Sequence, residues 1–202
     1  MNVMDSLLKG AADVSHEVSN MLSSTVMRSS AIITGKIEHI TTSAMRSLSD
    51  PIFSTNRKLT SSPVCLEMTS WNMNELMDYI GAQLTTCTKD LNQVLNDFQD
   101  ESSNIITKIE NYITQFENLP VRCKLNLVDG NTGDHAFAGS TSCFVSLMAE
   151  FNFYVSNELN RASKTLIRSR QMTQNGEIKA QKCADEVVAS FKEFLDAQMA
   201  LC

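Results

Sequence analysis

The sequence predicts an all-α fold: an elongated antiparallel three-helix bundle, built from a long disulfide-laddered helical hairpin and an N-terminal helix packed in its groove. Three observations predict it. Glycine and proline number only 7 and 3 among 202 residues, so long uninterrupted helices are easier to build than many turns. Apolar residues recur at steps of three and four over long stretches, the signature of helices that bury one seam. The six cysteines, Cys65, Cys87, Cys123, Cys143, Cys183 and Cys202, pair from the outside inwards so that the two residue numbers of each pair total nearly the same value. Residues facing each other across two antiparallel helices keep such a constant total, because both helices rise equally per residue. The drift among the three pairs is about one helical turn.

The pairs selected in this way are Cys65–Cys202, Cys87–Cys183 and Cys123–Cys143. Of the connectivities open to six cysteines, this nested one matches a hairpin. A sequential pairing would ask Cys183 to reach Cys202 over about 28 Å of helix axis. Six reduced cysteines would instead behave as small buried hydrophobes. Helical phase favours the middle pair. Cys87 falls in the coiled-coil-like seam Met73, Leu76, Ile80, Leu84, Cys87, Leu91, Val94, Phe98, Ile105, Ile109, Tyr112, Phe116 and Leu119. Cys183 falls in the return seam, Phe144, Leu147, Phe151, Val155, Leu159, Ala162, Leu166, Met172, Gly176, Ala180, Cys183, Val187, Phe191, Phe194 and Leu201. Seam positions of packed helices bring Cα atoms into the range a disulfide requires.

Taken in order, residues 1–49 form the N-terminal helix, with Met4, Leu8, Ala11, Val18, Leu22, Val26, Ile33, Ile37, Ile40, Ala44 and Leu48 on one face. Such a stripe needs a partner. The hairpin offers one through Met77, Leu95, Ile106, Ile113, Met148, Phe153, Ile167 and Val188, which widen its apolar faces. No cysteine precedes residue 65, so this docking is non-covalent. Residues 50–64 are a linker: Ser49-Asp50-Pro51 stops the first helix, and Ser61-Ser62-Pro63-Val64 holds an extended approach to the hairpin. Thr69 or Ser70 caps the outgoing arm, and Pro120 ends it. The tip loop, 121–142, carries a short strand at Leu125–Val128 and the turn-rich stretch Asp129-Gly-Asn-Thr-Gly-Asp134-His135. Asn175-Gly176 marks a bend in the return arm. The whole of 1–202 reads as a single domain.

Composition narrows the function. A net charge of −6 argues against nucleic acid as a partner. No apolar run approaches the roughly 20 residues that span a bilayer, so the chain is not transmembrane. Paired cysteines imply an oxidising compartment, hence a secreted, extracellular protein whose signal peptide has been removed, since Met1–Gly10 has neither basic leader nor apolar core. No Asn-x-Ser/Thr sequon occurs.

Reactive chemistry finds no foothold. Asp129, Asn131, Asp134 and His135 gather oxygen and nitrogen in the tip, but an EF-hand loop wants glycine and glutamate where Asp134 and Ser140 stand. They read instead as a solvated turn, and as the candidate recognition loop of the tip. No two cysteines have zinc-ligand spacing, and the three histidines, His16, His39 and His135, lie apart in sequence. Neither a nucleophile elbow nor a phosphate-cradling glycine loop is present. Asp97, Asp100 and Glu101 read as a solvated helix face. Arg161, Lys164 and Arg168 form a small basic stripe. No catalytic residue, metal or cofactor is therefore expected.

Pro63-Val-Cys65, Cys87 in the same helical context, Cys123, Cys143-Phe144 and the late Cys183 and Cys202 resemble the secreted insect proteins with the tsetse EP domain, over residues 63–202. That resemblance implies an extracellular insect protein without established enzymatic chemistry. The leading expectation is a non-catalytic secreted protein acting by binding or assembly on an extracellular protein or surface. Two alternatives are a carrier of lipid or another apolar ligand, and a self-associating structural or adhesive matrix component.

Overall fold

In the computed structural model, residues 3–123 and 134–202 are described, with the side chains of residues 6, 8–123 and 142–202. They are helical apart from short connections and the last two residues, and no strand occurs among them. The order is α1 (Val3–Thr60), α2 (Pro63–Thr69), α3 (Met73–Cys87), α4 (Lys89–Glu117), α5 (Leu119–Arg122) and α6 (Asp134–Ala200). The expected strand at Leu125–Val128 lies outside the described residues. Contacts gather the chain into two units, Met1–Ser29 with Phe98–Arg168, and Ser30–Asp97 with Ser169–Cys202.

In the first unit, α4 presents Ile105, Ile109, Ile113 and Phe116 at helical steps, all fully or almost fully buried. They meet Ala12 of α1, Leu119 of α5, and Phe144, Phe151 and Ala162 of α6 in one apolar cluster. Each buried Ile or Phe contributes about 1.5–3 kcal/mol. Phe116 stacks on Phe151 with ring centroids 4.3 Å apart. Arg161 faces Glu101 at 3.9 Å and Lys108 faces Glu158 at 3.9 Å, so ascending numbers on α4 meet descending numbers on α6. These two segments run in opposite directions.

The second unit repeats the plan with other residues. Ile40, Ala44, Leu48 and Ile52 of α1 pack against Ile80 and Leu84 of α3, Leu91 of α4, and Ala180, Ala184 and Leu195 of α6. Trp71, the single tryptophan, donates its indole N–H to the Asn56 side-chain oxygen at 2.8 Å, tying the α2–α3 connection to α1. Lys36 pairs with Glu177.

Several boundaries differ from the sequence expectation. The first helix does not stop at residue 49. It runs through Pro51 to Thr60, and most of the expected linker is helical. Proline inside a helix costs about 3 kcal/mol, but Ile52 and Leu59 become buried by continuing, which offsets that cost. The approach to the hairpin is not extended either: Pro63 occupies the first turn of α2, behind the N-cap Ser62. Proline suits that position because its missing N–H would have no helical partner there. Asn72, not Thr69 or Ser70, caps α3, accepting from the backbone N–H groups of Asn74 and Glu75. Ser70 has φ 49 and closes α2 in the left-handed region.

The outgoing arm breaks twice. Thr88 interrupts it after Cys87, its hydroxyl donating to the carbonyls of Leu84 and Thr85, a bond that bends helices. The main helix then ends at Glu117, and Pro120 sits inside the short α5 rather than closing the arm. α6 already begins at Asp134, so the second half of the expected tip loop is helical. An acidic residue in the first turn and the alanines that follow favour that start. Asn175-Gly176 makes no break, and α6 is continuous through it.

Candidate recognition groove

Cys65 and Cys202 are bonded, as are Cys87 with Cys183 and Cys123 with Cys143; the Cα–Cα distances are 5.6, 5.5 and 5.7 Å. No free cysteine remains, which removes the thiol as a nucleophile. The first two bonds lie in the second unit, and both join the α2–α3 region to α6. Between them, α3 and α6 are fixed side by side.

That pairing leaves a groove on the surface of the second unit. Leu76, Tyr79 and Gln83 form one wall from α3, and Cys183, Glu186, Val187, Ser190, Phe191 and Phe194 the other from α6. Its volume is about 530 Å³, within the span of ligand-binding clefts. The spacing explains the walls: 76, 79 and 83 share one face of α3, and 183, 187, 190, 191 and 194 share one face of α6. Leu76, Val187 and Phe191 also touch the core behind them, so the groove floor is rigid. Tyr79 packs edge-on against Phe191, centroids 5.9 Å apart at 67°. Tyr79 remains 58% exposed and Phe194 42%, values that leave aromatic surface open to a partner. Glu186 is the one carboxylate on the lining, and Lys182 approaches it at 3.9 Å.

Other expected features fall differently. Asp129 and Asn131 lie outside the described residues. Asp134 and His135 belong to the first turn of α6, with side chains outside the described set. Of the basic stripe, Arg161 is engaged by Glu158 at 3.4 Å as well as by Glu101, while Lys164 and Arg168 are exposed. Asp97 accepts from Gln93 on its own helix at 2.7 Å. Phe153 and Ile167, expected to receive the first helix, are 68% and 56% exposed. Among the described residues, no cluster of histidine, cysteine and carboxylate is arranged to hold a metal.

Sequence reasoning missed two things here. It placed Phe194 in the buried seam, whereas α6 leaves that ring beside the groove and buries the neighbouring Leu195 instead. It also missed Glu158, an almost fully buried carboxylate held between Arg161 and Lys108. Burial of an acid becomes legible only when its partners are seen.

No helix among the described residues is long and apolar enough to cross a membrane. No known protein family, curated protein or solved structure matches the chain.

Proposed function

We propose that the protein is a secreted, non-catalytic binding protein, and that it docks an amphipathic helical segment of an extracellular protein in the α3–α6 groove. One observation carries this: an open groove walled by Leu76, Tyr79, Val187, Phe191 and Phe194, on helices that two disulfides hold in place. A helix laid in an apolar groove is read through anchors at helical spacing, and a fixed scaffold lowers the ordering cost of binding. In this reading the long helices form one antiparallel three-helix bundle, with α1 as the uncrosslinked member. The disulfides support an extracellular setting, in line with the resemblance to tsetse EP domain proteins.

A second reading, carriage of lipid or another apolar ligand, draws on the same apolar lining and volume. Native mass spectrometry on protein taken from its natural source separates the two. A polypeptide adduct is expected, and Phe194→Glu weakens it about tenfold or more, as loss of a central aromatic anchor does. A lipid-sized adduct lost in the same variant moves the conclusion to the carrier. Turnover on a broad hydrolase panel, abolished by one point substitution, overturns both.

A further inference from the structure

Two of the three tyrosines of the chain face each other. Tyr112 of α4 and Tyr154 of α6 lie in the first unit, ring centroids 5.2 Å apart and planes only 11° from parallel. Their residue numbers total the same as those of the Cys123–Cys143 bond in the same unit, so they stand at a rung position of that antiparallel register. They lie between Phe116–Phe151, stacked at 4.3 Å, and the Lys108–Glu158 ion pair. Packed neighbours on both sides hold the two rings in register.

We propose that Tyr112 and Tyr154 are a site of oxidative cross-linking, at which a one-electron oxidant of the peroxidase class, fed by hydrogen peroxide, joins them as dityrosine. The chemistry asks for two phenoxyl radicals close together with their π faces opposed, so that an ortho carbon of one ring meets an ortho carbon of the other. A near-parallel stack supplies that approach without a search. Each phenol loses one electron and its hydroxyl proton to the oxidant. One carbon–carbon bond forms between two Cε atoms, leaving each ring a dienone, and the hydrogen on each bonded carbon then moves as a proton to that ring's carbonyl oxygen as the phenols are regenerated. Hydrogen peroxide accepts the two electrons and two protons and leaves as two waters. The protein loses two hydrogen atoms.

Access is built in. Tyr154 is 40% exposed, and a crevice of about 50 Å³ opens beside the pair, lined in part by Gln115, Arg122 and Glu150. That space admits a molecule the size of water or peroxide. The product would be a covalent rung between α4 and α6 at a height where the sequence has no cysteine. The third tyrosine is a natural control: Tyr79 is more exposed, yet its ring partner is Phe191.

The test treats dilute, disulfide-intact protein with a haem peroxidase and hydrogen peroxide, followed by fluorescence and peptide mapping of the monomer. Expected are dityrosine emission, a monomer lighter by two hydrogens, and a cross-linked peptide containing Tyr112 and Tyr154. Tyr154→Phe, which keeps the ring and its packing, reduces the monomer signal to background, whereas Tyr79→Phe leaves it unchanged. Coupling that appears only between molecules, or oxidation without coupling, overturns the proposal. So does a Tyr112–Tyr154 yield that stays the same when the protein is reduced and unfolded in urea, since the stack would then have no part in it.

Discussion

At Gly176 the second unit has no room for a side chain. A Cβ there would stand 2.9 Å from Cδ2 and 3.3 Å from Cγ of Leu91, and Leu91 is itself fully buried against α1, α3 and α6. Glycine in a helix interior normally costs about 1 kcal/mol relative to alanine; here it permits the close approach of α4 to α6. Gly176→Ala therefore gains helix propensity and loses more to overpacking, of about 1–3 kcal/mol. The expected outcome is a net loss of about 1 kcal/mol in urea unfolding. A double-mutant cycle with Leu91→Ala identifies the cause: the two effects should fall short of additivity by a similar amount, because the truncated partner clears the space. Strict additivity would locate the defect elsewhere.

Elements show where the sequence spoke plainly and where it did not. The seam of α4 was legible because large apolar residues recur along it, and Leu91, Phe98, Ile105, Ile109 and Phe116 are all buried. The middle of α6 was not. There the buried stripe runs through Thr165, Ser169, Thr173 and Gly176, while Met172, the apolar residue in the expected seam, is 39% exposed. Small hydroxyl residues read as solvent-facing, yet one can be buried cheaply when it donates to its own helix, as Thr173 does to the Ser169 carbonyl at 2.7 Å. The groove was half legible for a related reason: its residue types were visible in the sequence, but the exact rotation of α6 decides whether Phe194 faces the core or the solvent. Pro51 misled in the opposite direction. Lacking an N–H, it leaves one helical bond unmade, and nearby the Ser49 hydroxyl donates to the Arg46 carbonyl at 3.0 Å. Since α1 continues regardless, Pro51→Ala should stabilise the protein by about 2 kcal/mol, the proline penalty less some lost ring packing. A rise in the urea midpoint with unchanged slope is the check; no rise would mean the helix around residue 51 is already relieved by other contacts.

At the scale of the whole molecule, cross-linking is distributed unevenly along the chain. All three disulfides involve residues from 65 onward, and α1 joins both apolar clusters through side chains alone. Each bond removes freedom from the unfolded chain and contributes roughly 3–5 kcal/mol for loops of these lengths, but only against unfolding of the segments it closes. α1 gains nothing directly from them. It is expected to open first, at a free energy several kcal/mol below that of α4 and α6, while the crosslinked helices stay folded. Native-state hydrogen exchange on the oxidised protein reads this directly: buried amides near Ile40, Leu48 and Leu59 should exchange through a lower-energy opening than those near Ile109, Ala162 and Ala184. Reducing the disulfides should narrow the gap, because the advantage of α4 and α6 is then withdrawn while α1 is unchanged. Equal protection in all three helices before reduction would show that the apolar clusters, rather than the disulfides, set the order of opening.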